Sequence, residues 1–267
     1  FLLLEVDLLA WLIRGSHCCR NQCTEDCQKK WPGFLDNLRG NAYHVPSAKV
    51  FKFDGTYVCE APLGQPGYPS VTISRAEFQQ LYSYVVSLGI PVGFNHSVSS
   101  YYETGEKGVV FSDGRKIQAD VVVATDGVGS ISWEIVSGKK DRPISSSYAI
   151  YRVTYPVEPA LKNPIIAAEY DNDNDRMSIF VGPDAHMITR RKGQNINWFM
   201  AYKDDGNADE SWLKSAPADK ALKHITCWTP LLEELVKETP HNSVLDWKLL
   251  WRNPQLNGSR LMGESLK

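Results

Sequence analysis

The residues best equipped for chemistry fall in one stretch, from Arg75 to Ser130. In order it carries an arginine at the start of a helix-periodic segment (SRAEFQQLYSYV), short β-rich runs, three consecutive valines, and then Asp126-Gly127-Val128-Gly129-Ser130. A carboxylate at the carboxyl end of a buried strand, followed at once by glycines, lets backbone amides approach a pyrophosphate closely. The acid meanwhile holds water or a ribose hydroxyl. Each feature alone has a plainer reading. Asp-Gly is a common turn, and an arginine at a helix start is usually solvated. Their order, with a helix and a strand between them, gives the set its meaning.

Other reactive side chains carry less. His186, His224 and His241 are candidate general bases, but none sits in a Ser/His/Asp or Cys/His signature. Tyr148, Tyr151, Tyr155, Trp198 and Tyr202 fall on β-rich runs, where they either line an aromatic pocket or pack a sheet. Of the 6 cysteines, Cys18, Cys19, Cys23 and Cys27 crowd together near His17, while Cys59 and Cys227 stand apart. No second pair follows at a zinc-ligand distance, so reduced thiols are expected and no metal site is predicted. The acidic run Asp171 to Asp175 lacks the spaced ligands and closing glutamate of a calcium loop and reads as a solvated turn.

Elements must position these residues. Trp31 to Arg39 fits a short helix opened by Pro32. Lys49 to Val58 places Asp54-Gly55 between two β-rich runs, a hairpin signal, and Ala61 to Pro69 is a Gly/Pro-rich loop. Ser74 and Glu77 form a capping box for a helix running to Leu88, which Gly89 ends; Phe78, Leu81, Val85 and Leu88 make its apolar stripe. Strands are predicted at Pro91 to Phe94, Val98 to Glu103, Lys107 to Ser112 and Ile117 to Ala124, with a turn at Asp113-Gly114. The unbroken Val121-Val122-Val123 marks the last as buried on both faces of a parallel sheet. Tyr148 to Tyr155, Ile165 to Tyr170, Met177 to Val181, His186 to Arg191 and Asn195 to Tyr202 read as an antiparallel meander. Helices are predicted at Trp212 to Cys227 and Pro230 to Lys237, and a strand at Val244 to Trp251.

Composition narrows the function classes. The chain has 267 residues, 43% hydrophobic, with Lys+Arg 29 against Asp+Glu 31, enough to bury a core in one or two domains. A net charge of -2 argues against an electrostatic nucleic-acid binder. The apolar run Phe1 to Ile13 is interrupted by Glu5 and Asp7 and is too short to span a bilayer. Lacking a basic leader and cleavage site, it does not read as a signal peptide, so a cytoplasmic protein is expected.

The segments Ser74 to Val85 and Ser112 to Ser130 resemble the FAD-dependent aromatic hydroxylases, the group A flavoprotein monooxygenases typified by salicylate and p-hydroxybenzoate hydroxylases. Tyr151-Arg152 resembles that family's tyrosine-arginine pair, Gly182-Pro183-Asp184-Ala185-His186 its GPxxH turn, and Trp247 to Gly263 its approach to the last flavin motif. The resemblance covers about residues 31 to 263. It implies an α/β fold, with part of a Rossmann-like FAD-binding domain and an antiparallel substrate-domain sheet. It also implies FAD as cofactor, NAD(P)H as co-substrate and a small aromatic substrate. Hydride transfer would reduce the flavin, and an oxygen atom from dioxygen would pass to a nucleophilic carbon. Arg75, Asp126, Gly127, Gly263 and Glu264 are carried over as cofactor-binding positions, with Arg75 a cation for phosphate or the flavin edge; no catalytic base is named.

The pattern also departs from the family. No G-x-G-x-x-G turn is present, Trp133 stands where an arginine commonly closes the Asp-Gly motif, and Gly263-Glu264 replaces Gly-Asp. The chain begins at Phe1 and stops at Lys267 in mid-pattern, so truncation at both ends is expected. Residues 1–46 are assigned to a remnant of the N-terminal FAD region, and 47–133 to the central FAD segment with a hairpin shared with the substrate sheet. Residues 134–250 are assigned to the substrate domain and 251–267 to the return. The alternatives are an inactive fragment that cannot hold FAD, or an oxidoreductase of the same superfamily that does not hydroxylate.

Overall fold

The computed structural model describes residues 32–33, 43–65, 68–69, 71–72, 81–103, 107–172, 176–206, 208 and 215–252. In chain order the first elements are β1 (Tyr43–His44), β2 (Ser47–Lys52), β3 (Tyr57–Pro62), β4 (Gly64–Gln65), β5 (Tyr68–Pro69), β6 (Val71–Thr72) and helix α1 (Leu81–Ser87). Next come β7 (Val98–Tyr102), β8 (Gly108–Phe111), β9 (Lys116–Gln118), α2 (Ser132–Ser137), β10 (Ile144–Pro156), α3 (Val157–Ala160) and α4 (Pro164–Tyr170). The remainder are β11 (Arg176–Gly182), β12 (Ala185–Lys192), β13 (Asn195–Lys203), β14 (Ser215–Ala216), α5 (Asp219–Leu222), α6 (Pro230–Lys237) and β15 (Val244–Trp251).

An eight-stranded sheet in the order β14-β15-β10-β13-β12-β11-β2-β3 dominates, and a separate meander, β7-β8-β9, accompanies it. The α/β class is therefore as expected. The β10 to β13 strands follow the alternation of their sequences and pair antiparallel, Tyr151 opposite Met200 and Ile188 opposite Phe199. The expected hairpin forms around Asp54-Gly55, where Thr56 N donates to Asp54 Oδ1 at 2.9 Å and Gly55 takes φ +90°. Its first strand then runs parallel to β11, Ile179 opposite Val50. The large sheet is thus mixed, with one parallel pair made by a distant piece of chain.

Strand alternation gives this sheet two different faces. Ala149, Tyr151, Val153 and Tyr155 of β10, with Ile196, Trp198, Met200 and Tyr202 of β13, point under α3–α6 and are buried. Ile166, Ile225, Leu232, Leu235 and Val236 meet them from the helical layer, each at most 1% exposed. Several polar atoms in this layer are paired, while Ser178 Oγ and His224 Nε2 are buried without a partner. Tyr155 Oη donates to the Leu235 carbonyl at 3.0 Å, Trp198 Nε1 donates to Thr239 Oγ1 at 3.0 Å, and Tyr170 and Thr189 share a hydroxyl bond of 2.6 Å. Gly182 closes the layer's edge. A Cβ there would sit 2.4 Å from Trp228 Cζ2, so the turn after β11 can pack against that indole only as glycine.

Four local expectations are corrected. Ile165 to Tyr170 is a helix, because Pro164 occupies its first turn and Asn163 Oδ1 accepts from Ile165 N at 3.1 Å. Pro91 to Phe94 forms no ladder. Of Trp212 to Cys227, the described part holds the short strand β14 and only one helical turn, with Pro217 between them. Val121 to Ala124 forms no strand, with Val121 73% and Val123 62% exposed. A strand buried on both faces needs neighbours on each side, and no described strand lies beside this segment.

If Trp198 anchors the helical layer, Trp198→Ala will cost about 3–5 kcal/mol. Urea unfolding should show a lowered midpoint at unchanged slope. A loss below about 1 kcal/mol would mean that the core closes around the deletion.

Candidate functional site

The Asp-Gly segment is built as a tight turn entering a short helix. Asp126 (φ −77°, ψ 11°) precedes a single 3-10 turn, Gly127–Gly129, and Gly127 takes φ +77°, where a side chain would be strained. Ser130 then fixes the entry to α2, its Oγ accepting from Ser132 N at 3.1 Å and bonding Ser132 Oγ at 2.6 Å. Gly138, in the left-handed region at φ +69°, ends the helix. Asp126 is half-buried, and its Oδ1 is buried without a hydrogen-bond partner.

Two further groups of the same kind stand at this segment. Trp133, on α2, has its indole Nε1 buried without an acceptor. Arg252, just past the end of β15, lies with its guanidinium carbon 5.0 Å from the centroid of the Trp133 ring. Its Nε and Nη1 are likewise buried without acceptors. The contact ties the end of a large-sheet strand to the Asp-Gly segment. One buried acceptor and three buried donors thus belong to residues of one locality. Phosphate oxygens complement such donors and a sugar hydroxyl complements the carboxylate, so this set fits the ribose or ribityl phosphate portion of FAD.

A second locality is the sheet face turned away from the helices. Arg152 lies with its guanidinium 5.4 Å from the Phe199 ring centroid, and Ile150, Trp247 and Ile188 share that face by strand alternation. A third lies on the helical side. Tyr151 and Tyr202 stack at 4.5 Å and 14°, Tyr202 Oη donates to Asp246 Oδ1 at 2.8 Å, and the His224 ring sits 4.2 Å from that of Tyr202. Burial pushes both tyrosine hydroxyls above their ordinary range. Burial, with Lys223 nearby, pulls His224 below 6.5, and its Nε2 is buried without a partner.

The sequence-predicted positions divide accordingly. Asp126 and Gly127 stand together at the turn; Arg75, Gly263 and Glu264 lie outside the described residues, as do Cys18, Cys19, Cys23 and Cys27. Tyr151, Tyr155, Trp198 and Tyr202 pack under helices rather than along the open face, whereas Tyr148 is exposed. Arg252 was not foreseen, because its partner Trp133 is distant in sequence and only the turn of the fold brings them together. Asp246 could have been flagged as the one acid in the apolar strand VLDWKLLW. Among the described residues no group of His, Cys, Asp and Glu could hold a metal ion, and no helix is long and apolar enough to cross a membrane.

Comparison with known proteins gives a consistent picture. No family model matches the chain. The FAD-dependent monooxygenase dmxR9 of Cryptosporiopsis sp. is 32% identical over 183 residues, covering 66% of this chain and 35% of its own length. The FAD-dependent monooxygenase fsr3 of Gibberella fujikuroi is 30% identical over 202 residues, covering 72% of this chain and 39% of its own. The chain therefore spans a little over a third of the length of these curated relatives. Among solved structures, CtdE in complex with FAD and a substrate is 28% identical with TM-score 0.74, covering 85% of this chain and 57% of that one. A salicylate hydroxylase substrate complex, 19% identical with TM-score 0.69 over 85% of this chain and 59% of that one, shares the fold. Fold and relatives together place the chain in a family of flavoproteins. More narrowly, the chain belongs to the FAD-dependent monooxygenases of the aromatic hydroxylase-like family.

The His224 cluster carries a pH consequence. A histidine whose folded pKa lies below its unfolded one takes up its proton more readily after unfolding, so stability is full above about 6.5 and falls as pH drops through that value. His224→Phe keeps a ring beside Tyr202 but removes the titration. The wild type should lose more thermal stability than His224→Phe between about pH 7 and pH 5.5. Parallel curves would show that His224 is not protonated differently in the two states.

Proposed function

We propose that this chain works in an FAD-dependent monooxygenase that hydroxylates an aromatic or similarly activated small molecule, using NAD(P)H and dioxygen, in the cytoplasm. The carrying observation is the Asp126 Oδ1, buried without a partner at an Asp-Gly turn, in a chain 32% identical to a protein named as an FAD-dependent monooxygenase. Flavin-side roles are proposed for Asp126 and Gly127 and, on the family resemblance, for Arg75, Gly263 and Glu264. Residues 47–133 and 251–267 would serve the cofactor, and 134–250 the substrate. The β2–β3 hairpin would be shared between them, a reading supported by its pairing with β11.

FAD, when bound, supplies the redox and oxygen-activating chemistry. The chain's own residues bind, orient and exclude water. Asp126 would accept from a cofactor hydroxyl, and Gly127 keeps the turn free of a side chain that would hold the cofactor off. On the open sheet face, Phe199, Ile150 and Trp247 offer a flat apolar floor. Arg152 would hold an anionic or carbonyl edge of the substrate ring and so fix which carbon is presented. The half-buried state of these side chains supports a partly dry surface there.

The test is to purify the chain, add FAD and record the visible spectrum and flavin fluorescence. Binding is expected to perturb the flavin bands and quench emission. NAD(P)H oxidation should then rise at least severalfold with an aromatic substrate and yield hydroxylated product. Flavin binding with substrate-independent NAD(P)H oxidation would favour a simple reductase, and no flavin binding at any concentration would contradict the reading for this chain.

A further inference from the structure

The sheet face turned away from the helices buries a polar side chain with an acceptor to spare. Asn197, on β13, is 8% exposed, and its Oδ1 is buried without a hydrogen-bond partner. Alternation fixes its side. Ile196 and Trp198, its neighbours in sequence, pack under the helices, so Asn197 shares the opposite face with Phe199 and Ala201. The ladders set Thr154 of β10 and Arg190 of β12 directly opposite it. Such pairs hold their Cβ atoms about 5 Å apart, and both side chains can donate, yet neither bonds Oδ1.

Leaving an amide oxygen buried without a donor costs about 1–3 kcal/mol. A valine at this position would remove that cost and suit the strand, so the fold itself gives no reason for an asparagine. The surroundings say what would use it. One cross-strand level along the same face, Ile179, Ile188, Phe199 and Arg152 stand side by side, with the Arg152 guanidinium 5.4 Å from the Phe199 ring centroid. A flat apolar ring lying over Phe199 and Ile188 would therefore have a cation at one edge. The Asn197 acceptor would lie two residues, or about 7 Å, along β13 at another. A bare acceptor rejects an anionic edge and takes an O–H or N–H.

We infer that Asn197 is a specificity-determining residue of the open sheet face, its Oδ1 accepting a hydrogen bond from a hydroxyl or N–H group carried by the substrate ring. The inference rests on the monooxygenase reading above and narrows its substrate class to rings that bear a hydrogen-bond donor. Selectivity comes from the mismatch. A ring with the donor pairs Oδ1, whereas a ring without it covers the oxygen and leaves it unpaired. Arg152 and Asn197 then read different properties of one ligand, the first its charge and the second its donor.

The experiment is equilibrium binding of three probes to the chain by calorimetry: 2-naphthoate, 6-hydroxy-2-naphthoate and 6-methoxy-2-naphthoate. The proteins are wild type, Asn197→Leu and Asn197→Asp, each checked for its fold by near-UV circular dichroism. Wild type should bind the hydroxy probe about ten- to a hundredfold more tightly than the methoxy probe. In Asn197→Leu the two should agree within about twofold while 2-naphthoate binds as before. Asn197→Asp keeps an acceptor and should keep the preference. A merely structural role would shift all three probes alike. If Asn197→Leu fails to fold, the smaller Asn197→Val takes its place. Equal wild-type binding of the hydroxy and methoxy probes, or a preference that survives in Asn197→Leu, overturns the subsite and leaves the flavoprotein reading standing. Failure of all three probes to bind also overturns it. An Asn197-dependent preference in a chain that neither binds FAD nor oxidises NADPH supports the subsite and removes the monooxygenase reading.

Discussion

The burial of one face of the eight-stranded sheet beneath α3–α6 is the constraint on which the other features depend. Once Tyr151, Val153, Tyr155, Trp198 and Met200 are committed to that layer, strand alternation turns Arg152, Phe199, Ile150 and Trp247 to the other side. The layer's polar tips are fixed by Thr239, Thr189 and the Leu235 carbonyl, so the register cannot slip by one residue without stranding them. A slip would also reverse every side chain. The open face is thus as strictly specified as the buried one.

Against this well-paired layer, the Asp126 turn stands out by contrast. Its local geometry is settled by short-range forces: Gly127 at positive φ, the Ser130–Ser132 bonds, and the left-handed cap at Gly138. Its side chains, however, carry buried donors and an acceptor with nothing to bond. One region is held largely by paired polar groups, while the other gathers several unpaired ones. Arg252 links the two, because β15 is an inner strand of the large sheet and ends where Trp133 begins its contact.

Much of the fold could be read from sequence where the signal was periodic and local. The alternating runs of β10, β12 and β13 and the Asp54-Gly55 hairpin needed only their own residues. Ile165 to Tyr170 misled because β-branched residues suggested a strand while Asn163 and Pro164 were already starting a helix. The valines at 121–123 suggested a strand buried on both faces, but Val121 and Val123 are exposed and no described strand flanks them. Of the candidate site, the Asp-Gly turn was legible because its proposed function and its turn chemistry share the same residues. Arg252 over Trp133 was not, since the pairing exists only after β15 has been placed in the sheet.

The account turns on whether the Asp126 turn and the end of β15 together receive a cofactor's sugar phosphate. Amide hydrogen exchange with and without saturating FAD reads this directly. The account predicts slowed exchange in peptides covering residues 125–133 and 251–252, with the already protected β10 and β13 core unchanged. Bound FAD that leaves both of those peptides exchanging as before would contradict it.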